Sequence, residues 1–164
     1  MSEEAIIQNA ATSIVYGLVE QMKTLNLSGE AAANQLPSPA DDECGVRHVK
    51  LRIDNSTTSG GFILLSAGDP PETTPEAKKS AATVGATSNI IGPFDLSQTV
   101  GVTVQPLNID LWLWIEPDYQ PTAMEPMTRV TLVYSYEINV GTERRTFRDS
   151  IRFVRANRQI ERAS

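Results

Sequence analysis

The chain of 164 residues has one cysteine, Cys44, and one histidine, His48. A single thiol excludes an intrachain disulfide and any cysteine-rich metal site. A single imidazole removes the usual histidine-based zinc sites and leaves a nucleophilic triad with only one candidate base. No apolar run approaches the ~20 residues of a membrane-spanning helix. The start, Ser2-Glu3-Glu4, is acidic where a signal peptide would be basic. The expected location is therefore the cytoplasm, or release without a signal peptide, with a virion as the alternative. There is no glycine-rich phosphate loop followed by lysine, no G-x-S-x-G elbow and no His-x-x-x-His pair. Asp41-Asp42-Glu43 lacks the spacing of a calcium loop and reads as a solvated linker. No metal, no cofactor and no enzymatic activity are expected.

What remains is enough for one domain with a real core. Its charge is unevenly spread. Residues 143–164 carry seven arginines and no lysine against Glu143, Asp149 and Glu161, while the rest carries seven basic against seventeen acidic side chains. Arginine's planar fork suits carboxylate and phosphate. Arg144, Arg145, Arg148 and Arg152 are the expected contacts for an anionic partner. The plain alternative is that this segment docks on the acidic remainder of its own molecule or of a neighbour. Only Phe147 and Phe153 are interleaved with these arginines, which gives base stacking by nucleic acid weak support.

Residues 3–25 predict a helix. Ser2 is the N-cap, Glu3 and Glu4 sit where the helix dipole favours anions, and Ile7, Ala11, Ile14, Leu18, Met22 and Leu25 recur at spacings of three and four. Residues 1–27 form this N-terminal segment and 28–45 a linker broken by Ser28-Gly29, Pro37 and Pro39. Residues 46–164 hold the strands. Val46–Asp54 and Phe62–Leu65 predict the first two. Asn89–Ile91 and Gly101–Val104 are candidate short strands in a region poor in large apolar groups.

Residues 108–119 carry the sharpest pattern. Ile109, Leu111, Leu113 and Ile115 line one strand face. Asp110, Trp112, Trp114 and Glu116 line the other, so both tryptophans of the chain lie between two carboxylates. The aliphatic face is a core face. The indoles are either covered by a second layer, such as the N-terminal helix, or form a contact surface for lipid, sugar or protein. Asp110 and Glu116 stand ~20 Å apart along the strand, too far for a paired-carboxylate hydrolase site. Pro117 is expected to end the strand.

Residues 127–154 predict a hairpin. Val130, Leu132, Tyr134, Tyr136 and Ile138 alternate in the first arm, and Asn139-Val140-Gly141-Thr142 makes a turn with glycine at a positive-φ position. Phe147, Ile151 and Phe153 alternate in the return arm. A helix over 144–160 remains an alternative, because the same residues fit helical spacing. Together these signals predict a mainly β protein, an antiparallel β-sandwich with one N-terminal amphipathic helix, of jelly-roll or related type.

Three anchors in this order resemble the actinoporin-like cytolysins: the amphipathic helix over 3–25, a strand running into Ile53-Asp54-Asn55-Ser56, and Pro117-Asp118-Tyr119 after an apolar strand. The resemblance implies a sandwich that binds phosphocholine-type headgroups, inserts its helix and oligomerises into a pore. It would place Pro117 and Tyr119 in the headgroup site, with Trp112 and Trp114 on the adjoining strand. The chain departs from that family where a tyrosine-rich segment should stand: Arg145–Ile151 has none. Two functions from different classes follow. One is a non-enzymatic lipid-binding, pore-forming protein whose partners are headgroups. The other is a structural subunit, such as a coat or decoration protein, whose partners are identical subunits in a homo-oligomer.

Overall fold

The structure, a computed structural model, describes residues 2–24, 48–53, 62–66, 70–71, 89–96, 105–119 and 127–156. Helix α1 spans Glu3–Thr24. The Ser2 hydroxyl accepts the Ala5 N–H at 3.1 Å and the Ser2 carbonyl accepts that of Ile6, so the expected N-cap is in place. Ile7, Ala11, Val15, Leu18, Val19 and Met22 form its buried stripe. At the other end an Arg155 guanidinium N–H donates to the Met22 carbonyl at 2.6 Å, satisfying one of the acceptors a helix leaves open there.

The strands are β1 (His48–Lys50), β2 (Phe62–Leu64), β3 (Asn89–Phe94), β4 (Leu107–Tyr119), β5 (Met127–Val140) and β6 (Glu143–Ala156). β1 and β2 form an antiparallel pair, and β3-β4-β5-β6 form an antiparallel sheet in that order. The candidate strand 101–104 lies outside the described residues. β6 settles the alternative over 144–160: its described part is strand, paired to β5 from Val140↔Glu143 to Met127↔Ala156. Gly141, at φ +64°, turns the loop between them, as the sequence predicts. Pro117 does not end β4. A register shift between Glu116 and Tyr119 absorbs the missing donor, and the strand runs on to pair Tyr119 with Met127.

Beyond the start of β3, the edge of β4 is taken by the chain leaving β2. Leu65 bridges Leu113, and the Ser66 N–H donates to the Leu113 carbonyl at 2.8 Å. The Asn89 side chain fastens this junction. Its Oδ1 accepts the Leu64 N–H at 2.7 Å, and its Nδ2 donates to the carbonyls of Leu64 (3.0 Å) and Leu111 (3.3 Å).

The two faces of the sheet follow from its registers. One bears Ile109, Leu111, Leu113 and Ile115 opposite Tyr136, Tyr134, Leu132 and Val130. α1 packs on this aliphatic face and joins its core cluster. The helix therefore does not cover the indoles, which point to the opposite face. Five large helical side chains buried at ~1.5–3 kcal/mol each hold α1 to the sheet by roughly 8–15 kcal/mol before chain entropy is counted. Its ends are tied as well. The Gln21 side-chain amide accepts the Arg52 N–H at 2.7 Å and donates to the Arg52 carbonyl at 2.8 Å, and Glu4 meets Arg145 at 3.7 Å. Among the described residues no helix is long and apolar enough to cross a membrane.

Candidate functional site

The second face of the sheet begins with the indoles. Trp112 stands opposite Val133 and Trp114 opposite Thr131, and the three apolar groups form a separate buried cluster. Trp112 is 4% exposed and Trp114 2%, and neither indole N–H has an acceptor among the described residues. These rings are covered, not presented. Arg152 marks part of the cover: its Nε donates to Thr131 Oγ1 at 2.9 Å and its Nη2 to the Pro71 carbonyl at 2.8 Å.

Toward the end of β4 the cross-strand pair Glu116 and Arg129 forms a two-pronged ion pair, at 2.7 and 3.0 Å. The guanidinium lies 4.1 Å from the centre of the Tyr119 ring. Its hydrogen bond to Glu116 raises the Arg129 pKa. Tyr119, one of the expected headgroup residues, is thus a platform for Arg129. Pro117 lies in the strand at the register shift, and its side chain is outside the described residues.

At the opposite end of the same face the sheet is open. One row across four strands reads Ile90, Asp110, Ser135, Arg148, each opposite the next. Glu137 stands opposite Thr146, and Asn139 opposite Arg144. These side chains line a groove of about 580 Å³. Arg144 Nε lies 3.5 Å from Glu137 Oε2, with both side chains exposed. Burial raises the Asp110 pKa above the ordinary carboxylate value, the charge of Glu137 adds to this, and Arg148 opposes it. Ile90, 65% exposed, forms an apolar wall. The lining holds neither cysteine nor histidine. It sets carboxylates and arginines side by side on one sheet face, with Ser135 cross-strand from Asp110.

The four arginines singled out in the sequence are divided by this arrangement. Arg144 and Arg148 come together at the groove. Arg145 is on the helix face, between Glu4 and Glu143 (4.0 Å). Arg152 is bonded within the molecule. The sequence marks Asp110 only as a carboxylate flanking the indoles, too distant from Glu116 to pair with it, and does not single out Ser135, Glu137 or Thr146. A signal for them existed: with Gly141-Thr142 as a two-residue loop, counting outward pairs Glu137 with Thr146 and Ser135 with Arg148.

β6 borders the sheet. Among the described residues its only strand partner is β5. It carries five arginines against two acids, on a chain of net charge −6. At its middle the Ser150 N–H donates to Asp149 Oδ1 at 2.8 Å. Among the described residues, no cluster of three or more His, Cys, Asp or Glu side chains is arranged to hold a metal ion. Comparison of the chain with protein families, with curated proteins and with solved structures gives no match.

Proposed function

We propose that this protein is a non-enzymatic assembly subunit, a structural protein that meets its partners through the arginine-bearing border of its sheet. The observation that carries the reading is the segregation of charge. The basic residues of 143–164 that fall in the described structure lie along one border strand, while the rest of the chain is acidic. A strip of one sign on a body of the other favours docking in a fixed orientation. The burial of both indoles and the bond from Arg152 to Pro71 support a second layer over the Trp face. Such a layer would complete the expected sandwich.

The membrane-binding reading has less to stand on. Its headgroup residues are engaged elsewhere, Tyr119 under Arg129 and the indoles under cover, and its inserting helix is held by the core. The test is particle size by light scattering across a concentration series, at low salt and at 1 M salt, where screening reaches within ~3 Å. Concentration-dependent assembly at low salt, reversed by high salt, is the expected result. The same sample is sedimented with phosphatidylcholine/sphingomyelin vesicles. A monodisperse monomer that follows the vesicles would overturn the assembly reading in favour of the lipid one.

A further inference from the structure

We infer that the outer border of β6 receives an extended acidic segment of a partner polypeptide as a fifth strand. The inference rests on the assembly reading in one respect, that β6 is a meeting surface, and it names the partner's chemistry and its mode of binding.

The backbone supplies the first half of the argument. Val140 and Glu143 close a two-residue loop, and in such hairpins the closing pair exchanges backbone hydrogen bonds. Antiparallel ladders alternate bonded and non-bonded pairs. The odd-numbered residues of β6 therefore bond to β5, and Arg144, Thr146, Ser150 and Val154 turn their N–H and C=O groups outward. The Ser150 N–H fits this parity, since it is bonded to Asp149 Oδ1. A border strand of 14 residues is a long template for another strand.

Charge supplies the second half and selects the occupant. Two β6 strands laid edge to edge would bring ten arginines together against four acids, so the border repels its own copy. Charged residues on a sheet border guard against self-pairing in this way. The same charges attract a strand that carries carboxylates. Arg144 and Arg148 stand on the groove face four residues apart, ~13 Å along the strand, and Arg145 stands on the other face. A matching strand carries acidic side chains four residues apart on one face, where arginine can engage them directly. Asp149 partly closes the middle of the border by holding the Ser150 N–H, and a partner strand displaces it.

The probe is the capped peptide Thr-Glu-Val-Glu-Thr-Glu-Val-Glu-Thr, titrated calorimetrically into the full chain at low salt. A second peptide has lysine at each glutamate. A third keeps the glutamates but carries N-methyl groups on alternate backbone amides, made in both registers. Binding by the acidic peptide, at least tenfold weaker for the lysine peptide and lost on N-methylation in one register only, is the expected result. Arg144→Glu/Arg148→Glu should weaken binding at least tenfold, and Asp149→Ala should strengthen it severalfold. Failure of the acidic peptide to bind overturns the inference. Binding that tolerates N-methylation in both registers also overturns it, since contact would then be by charge alone, and the peptide comparison does not depend on any variant folding. Salt-sensitive assembly of the chain without peptide binding leaves the assembly reading standing and removes this inference. Peptide binding by a chain that never assembles does the reverse.

Discussion

Replacing Asn89 by alanine should loosen the whole junction between β2 and the main sheet. The side chain, 8% exposed, makes two well-placed hydrogen bonds to the backbone of Leu64 and a longer one to Leu111. Each is worth about 0.5–1.5 kcal/mol net. The bonds to Leu64 are only part-buried, so water reaches some of what is left behind and the orphaned groups cost the lower end of their range. The sum is a loss of about 2–3 kcal/mol. For a chain of this size that corresponds to a fall of roughly 5–10 °C in Tm. The assay is denaturant unfolding followed by tryptophan fluorescence, since both indoles are buried on β4, next to β3. Asn89→Asp refines the test. It keeps the acceptor for the Leu64 N–H but sets a carboxylate against two carbonyl oxygens. It should therefore be less stable than Asn89→Ala at neutral pH and recover in acid. A loss below ~0.5 kcal/mol for the alanine variant, or an aspartate variant without pH dependence, would refute the reasoning.

Gly92 and Gly141, the positive-φ glycines among the described residues, should respond unequally to alanine. At Gly141 a Cβ meets nothing within 4 Å, so Gly141→Ala should cost only the conformational ~1–2 kcal/mol, whereas at Gly92 it would lie 2.6 Å from the Leu107 carbonyl oxygen, and Gly92→Ala should cost more, as read by urea midpoints. Asp110 binds its proton more tightly when folded, so its contribution to stability falls as pH rises above its ordinary 3.8; Asp110→Asn should therefore gain stability relative to the parent at pH 7 and lose that gain by pH 3, in thermal melts across pH. The Tyr134 hydroxyl is pushed up to about 12, first by burial and then by the charge of Asp149, against an opposing hydrogen bond with Thr12. Stability should drop as pH climbs from 10 toward 12, and in a rapid absorbance titration Asp149→Asn should bring this tyrosine's midpoint down while Tyr134→Phe removes it.

Patterns local to one element were readable in the sequence. The stripe of α1 and its Ser2 cap, the alternation of β4, and the loop at Gly141 all depend on residues within a few positions of one another. What depends on distant partners was not readable. The parity of β4 correctly set the indoles against the aliphatic row, but it could not say which layer lies on which side, and α1 chose the aliphatic row because that face extends across β5. Pro117 reads as a stop because it lacks an N–H, yet a bulge lets a strand pass such a residue. The groove joins Asp110 to Arg148 across two strand registers, so no sequence window contains it. The engagement of Tyr119 by Arg129 is hidden for the same reason.

Arg155 closes the end of α1 at a residue 133 positions earlier in the chain. At a synthesis rate of 5–20 residues per second, roughly 7–27 s separate the emergence of the two. For most of that interval, until β4 and β5 have emerged, the stripe of Ile7, Val15, Leu18 and Met22 has no sheet to lie on. A fold dominated by such distant pairings is slow to form and exposes apolar surface while it waits. Newly made chains halted before residue 107 should therefore be held by chaperones or aggregate, and those released after residue 156 should not. The helix that completes the finished core is the part of the molecule that waits longest for one.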